Sequence, residues 1–561
     1  MTHPLIPQLG FLKAYDTRAA VSDGVAGTIL AILLIPQVMA YAQLAGLPPE
    51  AGLYGALVPP LLYALFGTSG FVSVGPVALI SLVIAGAAGE TGAQPLEAAA
   101  IVGIEAGVFL VAIGASRLGR LINFISEPVL LGFTAAVAIL ILTSQVPTLV
   151  GTDPERAGNL PDALAAFWQA VPNWQPVSAM IGGGAVILLF ACSRYAAPLA
   201  WKLGIRPPWR QAVAKSLPLF IIIGCALAAS QVEADIALVS APPQGLPALT
   251  IPAFKADLWL GLLPSALVVA VIIFATATAV AKSLAGSDRR GFDTNREAVA
   301  LGLGNIGASL TGGYAVSASL SRSALVEESG GRTALAHVVG AVWVLVTIVF
   351  FAPILAFLPK TALAALVISA IFGLIKLREM KRVWDHDRTE AALIAVAFFA
   401  TIGFGVQIGL AAGALAGLAH YVWITSLPRV TRVASHDGGE TFRSIDRDEI
   451  SMNTLPALAL RIDRSIYFAN AAYVEDRIFE RLANHDDIRA VIFDMRSVNG
   501  IDASGAAMFA RLVERMTRED IAVHFAALHE PVRAQLDRLP QTKTSFHRSV
   551  NDALEACDCD L

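Results

Sequence analysis

The residues with the clearest capacity for chemistry lie in the stretch 312–332, GGYAVSASLSRSALVEESGGR. The stretch lies in a long apolar region, but it has too few apolar residues to cross the roughly 30 Å hydrocarbon layer as one helix. Arg322 lies in its middle. A charged side chain at membrane depth costs at least about 2.5 kcal/mol, so it normally faces a cavity or a partner. Arg322 is therefore a candidate anion ligand, and the alternative is a strut that pairs with a carbonyl or a helix C-terminus.

An earlier stretch resembles this one. VSVGPVALIS, at 72–81, is similar to VSASLSRSAL, at 316–325, and each follows a glycine-bearing turn and begins a short helix. Short interrupted segments at matching places in two halves are typical of inverted-repeat transporters, in which half-helix N-termini face one another at the bilayer midplane. The sequence therefore predicts two facing half-helices.

Two facing helix N-termini favour a bound anion. Each supplies about half a unit of positive charge together with free backbone N–H donors. An arginine adds a full charge, and serine hydroxyls add hydrogen-bond donors. The residues that we expect at this site are Val77, Ala78, Ser319, Leu320, Ser321 and Arg322.

The elements that hold these residues are membrane helices. The chain has 561 residues, of which 56% are hydrophobic and only 15% charged, against roughly 25% charged residues in soluble domains. Apolar runs predict about fourteen membrane segments, two of them half-length, in two inverted repeats. Both termini are then cytoplasmic, because the predicted inner loops are basic whereas 151–174 and 231–257 are acidic or neutral. The basic residues are Arg117, Arg120, Arg194, Lys202, Arg206, Arg210, Lys215, Arg289, Arg290, Arg296, Lys376, Arg378, Lys381, Arg382 and Arg388.

The composition changes from membrane-like to soluble near residue 428. We expect a cytoplasmic N-terminal segment at 1–22, a transport domain at 23–427 with repeats at about 23–231 and 258–427, a linker at 428–449, and a small α/β domain with a tail at 450–561. ALALRI, SIYFAN, AVIFDM and IAVHFAAL are its predicted strands. ANAAYVEDRIFERLANH and ASGAAMFARLVERM are its predicted helices.

Several classes of function are disfavoured. A net charge of −4 gives no nucleic-acid footprint. No nucleophile and base stand together with an orienting third residue, so we expect no enzyme and no cofactor. Cys557 and Cys559 form a Cys-x-Cys pair without further ligands, so we expect reduced surface thiols rather than a metal site.

Several separated motifs resemble the SulP anion transporter family, also called solute carrier family 26. They are PQVMAYAQLAGLPPEAGLYGAL, GTSGFVSVGP, NREAVALGLGNIGASLTGG and SLSRSALVEESGGRT, and GIDASG at 500–505 is similar to the loop-to-helix turn of a STAS domain. The resemblance runs from about Asp23 to the C-terminus. It implies a seven-plus-seven inverted repeat, a core domain that moves against a gate domain, a homodimer in a bacterial inner membrane, and a cytoplasmic partner at the STAS domain as an open alternative.

The resemblance also implies roles for single residues. Gln37 and Tyr41 would line the pocket, although ordinary helix packing would equally place them there. Ser504 lies where bacterial regulators with this domain are phosphorylated. The alternative is that Asp502 and Ser504 cap a helix, since such side chains accept hydrogen bonds from free N–H groups.

The sequence departs from its relatives at the residues that would couple anion transport to the movement of a cation. Cation-coupled members tend to carry an acid in the span 259–281, which has none here; Thr276 or Thr278 occupies the neighbourhood. A hydroxyl neither titrates in this range nor holds a cation alone, so anion exchange or uncoupled movement is favoured. Glu105, within the span 98–116, is the alternative proton carrier, unless it has a structural role.

The favoured function is secondary transport of a small inorganic or organic anion by alternating access. Sulfate leads by resemblance, and bicarbonate, chloride and a dicarboxylate are further candidates. Four alternatives stay open: a proton-coupled symporter that uses Glu105, a membrane-anchored regulatory or scaffolding protein that acts through its STAS domain, a carrier of neutral nucleobases, and a channel-like conductance.

Overall fold

The computed structural model describes most of the chain and divides it into two compact units, Met1–Gly417 and Leu418–Leu561. The described residues are 15–120, 126–152, 158–204, 209–232, 236–240, 245–284, 292–435, 442–444, 457–483, 488–538 and 544–557. Most of the predicted segment 1–22 lies outside these ranges. So do Arg206, Arg289, Arg290 and Cys559.

The first unit is helical and falls into two halves, and its last helix continues beyond Gly417 to Ser426 in the second unit. The first half contains α1 (Thr17–Ala45), α2 (Pro49–Tyr54), α3 (Val58–Phe66), β1 (Val74–Gly75), α4 (Ala78–Thr91), α5 (Pro95–Ala115), α6 (Glu127–Leu149), α7 (Leu160–Ala170), α8 (Pro176–Lys202) and α9 (Trp209–Ser230). The second half contains α10 (Ala256–Leu284), α11 (Thr294–Leu310), β2 (Ser317–Ala318), α12 (Leu320–Glu328), α13 (Leu335–Val346), a π-helical turn (Thr347–Phe351), α14 (Ala352–Leu355), α15 (Lys360–Ile371), α16 (Leu377–His386), α17 (Arg388–Phe404) and α18 (Val406–Ser426).

Nine of the described helical segments are long and apolar enough to cross a membrane. Five shorter ones, namely the broken pair α2–α3, the half-helices α4 and α12, and the 17-residue helices α11 and α17, bring the count to fourteen. The predicted fold class is confirmed. The breaks follow from the sequence: Gly46 adopts φ +79°, which favours glycine, and Pro49 begins the next helix.

A short antiparallel ribbon joins the two halves. In it Val74 pairs with Ala318, and Gly75 pairs with Ser317. The pairing extends beyond the strands, because the Ser319 N–H donates to the Ser73 carbonyl at 3.0 Å. The ribbon therefore holds the starts of the two half-helices side by side.

The helices of this unit pack in two groups. The core group comprises α1–α5 and α10–α13, and the gate group comprises α6, α8, α9, α15 and α17. Within the core group, α5 and α11 approach so closely that a Cβ on Gly302 would lie 2.6 Å from the Gly107 carbonyl oxygen. A Cβ on Gly307 would lie 2.7 Å from Val58 Cγ1. These glycines permit close helix packing.

Two buried carboxylates tie the core group together. Glu297 on α11 accepts hydrogen bonds from the Tyr63 hydroxyl at 2.6 Å and from Thr68 Oγ1 at 2.7 Å. Asp23 on α1 accepts from the Thr333 N–H at 3.1 Å and from Thr333 Oγ1 at 2.6 Å. Each carboxylate therefore anchors a loop that enters or leaves a half-helix.

The second unit contains a six-stranded sheet with helices on both faces. Its elements after α18 are β3 (Val430–Ser435), β4 (Phe442–Ser444), β5 (Leu458–Ile462), α19 (Ala471–Ala483), β6 (Ala490–Asp494), α20 (Ala503–Arg518), β7 (Ala522–Ala526), α21 (Glu530–Leu536), β8 (Thr544–His547) and α22 (Val550–Glu555). The strand order is β4-β3-β5-β6-β7-β8, and β5 to β8 run parallel. One core contains α19–α21 and the other contains α22.

Two sequence expectations for this unit need correction. SIYFAN is not a strand: it contributes one bridge, from Ile466 to Ile501, followed by a turn in which the Asn470 side chain accepts from the Tyr467 N–H at 2.9 Å. The residues that we expected to form a linker, 428–449, contain β3 and β4, which extend the sheet through antiparallel pairing. Residues 436–441 and 445–449 of that linker lie outside the described residues.

A chain of three titratable side chains links β7, β8 and the C-terminal end. His524 Nδ1 lies 3.0 Å from His547 Nε2, and His524 Nε2 lies 3.3 Å from Cys557 Sγ. Cys557 is half-buried, so it is not a plain surface thiol. Burial lowers the pKa of both histidines; His547 lowers the pKa of His524 further, whereas Asp552 opposes the lowering at His547.

The contact between α5 and α11 predicts a difference between two glycines of one helix. Gly302→Ala should lower the free energy of unfolding by about 1–3 kcal/mol, because the new methyl group would clash with the Gly107 carbonyl. Gly304→Ala is the matched control, since its Cβ would lie 3.5 Å from Pro59 Cβ, an ordinary contact. Thermal unfolding of the purified protein in detergent measures both variants. Equal melting temperatures would contradict the close approach.

The histidine pair predicts that the sheet edge formed by β7 and β8 loses stability at acidic pH. Because the pKa of each folded histidine lies below the ordinary value of about 6.5, the unfolded state binds more protons there. The stabilisation is complete above about pH 6.5 and is lost as the pH falls towards the lowered values. Hydrogen exchange of β7 and β8 peptides in the full-length protein, corrected for intrinsic rates, should show this loss. His547→Asn should weaken the pH dependence, because an amide does not titrate.

Candidate functional site

The guanidinium of Arg322 lies beneath the start of the other half-helix. Arg322 is the third residue of α12 and is completely buried. Its Nη1 donates to the Pro76 carbonyl at 2.9 Å. Nε and Nη2 are buried and have no hydrogen-bond partner among the described residues. One arm of the side chain is therefore a strut, and two donors remain for a ligand.

A glycine leaves space beside these donors. A Cβ on Gly75 would lie 3.4 Å from Arg322 Nη2, so a larger residue would crowd the guanidinium. Gly75 also belongs to β1, where it pairs with Ser317. The ribbon therefore brings its backbone close to the arginine without supplying a hydrogen-bond partner to its two unpaired nitrogens.

The two half-helix N-termini lack side-chain caps. The residue before α4 is Val77 and the residue before α12 is Ser319, and neither side chain accepts a hydrogen bond from its helix. Free N–H groups therefore belong to the first turns, which include Ala78, Leu320 and Ser321. Val77 lies one position before its helix and supplies no first-turn donor.

The start of α12 is open. Leu320 is 48% exposed and the Ser321 side chain is also exposed, in contrast to the buried Arg322 that follows them. The hydroxyl oxygens of Ser319 and Ser321 lie 3.2 Å apart. Both serines therefore lie on the accessible side of the helix N-terminus.

Gln37 and Tyr41 form a pair on α1, which packs against both α4 and α12. Gln37 Nε2 donates to the Tyr41 hydroxyl at 2.9 Å, and both side chains are buried. Gln37 Oε1 is buried and has no partner among the described residues. The pair thus combines packing with an unsatisfied polar atom on the helix that faces both N-termini.

Thr276 on α10 contacts the ribbon. Its Oγ1 donates to the Ile272 carbonyl at 2.7 Å and lies 2.8 Å from Ser317 Oγ. Thr278 is also buried, and its hydroxyl has no partner among the described residues. Thr276 therefore supports β2 directly.

Glu105 lies apart from this cluster. It is 8% exposed, and its Oε2 is buried without a hydrogen-bond partner among the described residues. Within those residues no hydrogen bond or ion pair joins it to Arg322 or to Thr276. The structure does not bring Glu105 together with the predicted anion ligands.

Sequence reasoning missed two residues that hold the ribbon in place. Asn305 Oδ1 accepts from the Val316 N–H at 2.8 Å, and Asn305 Nδ2 donates to the Val316 carbonyl at 3.1 Å. The Tyr314 hydroxyl lies 2.8 Å from Ser81 Oγ on α4. A buried asparagine in the apolar helix α11 was the signal that could have revealed the first of them, since buried polar groups need partners.

In the STAS-like unit, Asp502 confirms the capping alternative. Its Oδ1 accepts from the Gly505 N–H at 2.9 Å, and its Oδ2 accepts from the Phe468 N–H at 2.8 Å. Ser504 is exposed on the first turn of α20 and does not cap it. Ser504 stays a predicted phosphorylation site by resemblance.

Comparison with known sequences identifies related transporters. The Sulfate permease family profile matches residues 21–397, and the STAS domain profile matches residues 449–553. The chain is similar to "Sulfate transporter 4.1, chloroplastic" of Arabidopsis thaliana, with 30% identity over 95% of this chain and 80% of that protein. It is also similar to "High affinity sulfate transporter 2" of Stylosanthes hamata, with 30% identity over 93% of this chain and 81% of that protein.

Comparison with solved structures gives the same fold. The murine Solute Carrier 26 family member A9 anion transporter in the inward-facing state matches with a TM-score of 0.88 and 19% identity, over 98% of this chain and 93% of that one. The transmembrane domain of a cyanobacterium bicarbonate transporter matches with a TM-score of 0.60 and 23% identity, over 72% of this chain and 98% of that one.

The family assignment rests on the extent of the sequence match, since the structural likenesses have lower identity and show the fold alone. The fold is that of an integral membrane protein, and two nitrogens of the buried Arg322 side chain have no hydrogen-bond partner among the described residues. Because the family profile covers more than half of the sequence, the chain belongs to the Sulfate permease family, whose members are transporters and not enzymes.

Proposed function

We propose that this protein is a secondary active transporter that moves a small anion by alternating access and holds it between the N-termini of α4 and α12. The observation that carries the proposal is that Arg322 is completely buried and keeps two donors without partners among the described residues. Sulfate leads because the relatives reported above are named sulfate transporters. Bicarbonate, chloride and a dicarboxylate are the other candidates.

The balance of charge supports an anion. A buried cation is normally paired with an anionic group, because an unpaired charge is costly in a medium of low dielectric constant. The protein acceptor for Arg322 is a neutral carbonyl, that of Pro76, and the described residues provide it with no carboxylate. A small anion would complete the pairing and would also satisfy the first-turn N–H groups of both half-helices.

The transport is proposed to be anion exchange or uncoupled movement. Asp257, in the first turn of α10, is the acidic residue of that helix, and the span that contacts the ribbon has none. Thr276 there bonds to the Ile272 carbonyl and to Ser317 and offers no titratable group. The span of α10 beside the ribbon therefore offers no carboxylate that could bind a proton or a sodium ion next to the anion.

Location and assembly are further parts of the proposal. We propose that the protein lies in a bacterial inner membrane with both termini in the cytoplasm. The alternation of basic loops with acidic or neutral ones supports the orientation of the termini. The transport domain is proposed to span 23–427, and the STAS domain with its tail to span 450–561. A homodimer and a regulatory protein partner at the STAS domain are proposed by family resemblance, with Ser504 as its phosphorylation site.

One alternative is favoured by a specific observation. Glu105 is buried in α5 and its Oε2 has no partner among the described residues, as expected of a carboxyl group that carries a proton. Symport of an anion with a proton is therefore the second candidate function.

Removal of the arginine tests the anion site. Arg322→Ala should lower the affinity for labelled sulfate about 10- to 100-fold in proteoliposome uptake, because hydrogen bonds to a charged group contribute about 1.5–3 kcal/mol. Arg332→Ala is the matched control: its side chain is exposed on the segment that follows α12. The proposal is overturned if Arg322→Ala transports with the wild-type rate and affinity.

The coupling mode is tested by imposed gradients. If transport is anion exchange, uptake of labelled sulfate should require anion inside the proteoliposomes; if movement is uncoupled, uptake should proceed without it. In both cases the uptake rate should not depend on inward proton or sodium gradients. Glu105→Gln should then leave the rate unchanged, since the carboxyl group takes no part. Uptake that an inward proton gradient accelerates in the wild type, but not in Glu105→Gln, would establish the symport alternative.

A further inference from the structure

The short helix α16 connects two membrane-embedded helices, α15 and α17. The helical conformation that starts with α15 breaks at Ile375, which has φ −86° and ψ 97°, and α16 begins at Leu377. At the other end Asp387 caps α17, because its Oδ1 accepts from the Thr389 N–H at 2.7 Å. α16 is therefore a separate helix, which lies where one membrane segment ends and the next begins.

One side of α16 is an apolar stripe that the protein leaves uncovered. Leu377, Met380 and Trp384 have the i, i+3, i+7 spacing of a single helix face. All ten residues of α16 are described, and none of them is buried. Leu377 is 68% exposed and Trp384 is 54% exposed. Because α16 lies between two membrane segments, the bilayer is the apolar phase within reach of this stripe.

Basic side chains flank the apolar stripe. Arg378, Lys381 and Arg382 have the i, i+3, i+4 spacing of neighbours on a helix surface, and all three are exposed. None of the three forms an ion pair within the part of the chain that the structure describes. Asp385 is the acidic residue of that face, so basic residues outnumber acidic ones there three to one. The face therefore carries net positive charge.

The other basic residues near α16 already have partners. Lys376 Nζ lies 3.1 Å from Glu379 Oε2. The guanidinium of Arg388, the first residue of α17, lies over the Trp384 ring, 4.2 Å from its centroid. Arg378, Lys381 and Arg382 are thus the basic residues of this helix whose charges remain for a ligand.

We propose that α16 binds the headgroups of anionic phospholipids through Arg378, Lys381 and Arg382, with Leu377 and Trp384 in the interfacial region of the bilayer. Lysine and arginine form charge-assisted hydrogen bonds with phosphate oxygens. Each basic residue near an anionic membrane surface strengthens association about fivefold. Tryptophan is enriched at the depth of the headgroups, which matches its place on this helix.

The bilayer accounts for both faces of α16. An acidic protein partner would pair with the basic residues, but it would leave the apolar stripe uncovered between two membrane segments. An anionic lipid surface satisfies the stripe and the charges together. Because α16 packs against α6 and α17 of the gate group, bound lipid would hold that group at the membrane surface. No transported anion takes part, so the inference goes beyond the proposed function.

The test uses the fluorescence of Trp384 in the full-length protein. The protein is reconstituted into vesicles of phosphatidylcholine and phosphatidylglycerol, one of which is brominated and quenches tryptophan on contact. The signal of Trp384 is the difference between the protein and its Trp384→Phe variant. Quenching against lipid mole fraction gives the association constant of phosphatidylglycerol relative to phosphatidylcholine. At low ionic strength this ratio should be about ten for the wild type.

Removal of the three charges should abolish the preference. In a variant that combines Arg378→Gln, Lys381→Gln and Arg382→Gln, the ratio should fall to about one. Brominated phosphatidylcholine alone should quench Trp384 as in the wild type, which shows that the variant is folded and that the stripe still contacts the bilayer. Raising the ionic strength to about 0.5 M should lower the wild-type ratio towards one, since salt screens accessible charges.

A matched control removes three arginines that already have partners. On α20, Arg511 pairs with Glu475, Arg515 with Glu519 and Arg518 with Glu514. Combined replacement of Arg511, Arg515 and Arg518 by glutamine removes the same amount of charge from the chain. The ratio measured at Trp384 should stay at the wild-type value.

Three results would overturn the inference. If neither brominated lipid quenches Trp384, the stripe is covered by protein, for example by a second copy of the chain, and not by the bilayer. If both lipids quench it equally in the wild type, α16 lies in the interface without selecting anionic lipid. If the preference survives loss of the three charges on α16, those residues do not cause it. Each result leaves the proposed transport function standing, because no sulfate is present.

Discussion

The whole membrane unit depends on how two interrupted helices satisfy their backbone groups. Hydrocarbon offers no hydrogen bonds, so each break must find partners within the protein. Here the two breaks partner each other: β1 and β2 pair, and the Ser319 N–H reaches the Ser73 carbonyl. Because the strands end where α4 and α12 begin, this pairing also brings two helix N-termini together. The proposed anion site is therefore a consequence of how the two breaks satisfy their backbone groups.

The two half-helices could be predicted from the sequence, but the ribbon that joins them could not. Glycine-bearing turns and the repeated Val-Ser start are local signals, and Arg322 is conspicuous in an apolar stretch. A two-residue strand is too short to show a period, and its partner lies in the other half of the chain. For the same reason the contact between Thr276 and Ser317, and the bonds from Asn305 to Val316, required the structure.

In the second unit the two errors have different physical causes. Strand patterns depend on which face is buried, and strands that contain polar residues show them weakly. β3 contains polar residues and pairs antiparallel at the side of a parallel sheet, so its composition resembled that of a linker. SIYFAN has the aromatic and branched residues of a strand, but Asn470 bonds back to Tyr467 and turns the chain into α19. The central parallel strands, which are buried on both faces, were predicted without such errors.

The ribbon also determines which parts of the protein can move relative to one another. Separating α4 from α12 would leave several paired backbone groups and the Arg322–Pro76 bond without partners in hydrocarbon, at a cost of several kcal/mol for each group. In the proposed transport cycle the two half-helices would therefore move together, although they belong to different repeats. The distance between α4 and α12 is therefore constant, and the displacement of each gate helix can be measured against it.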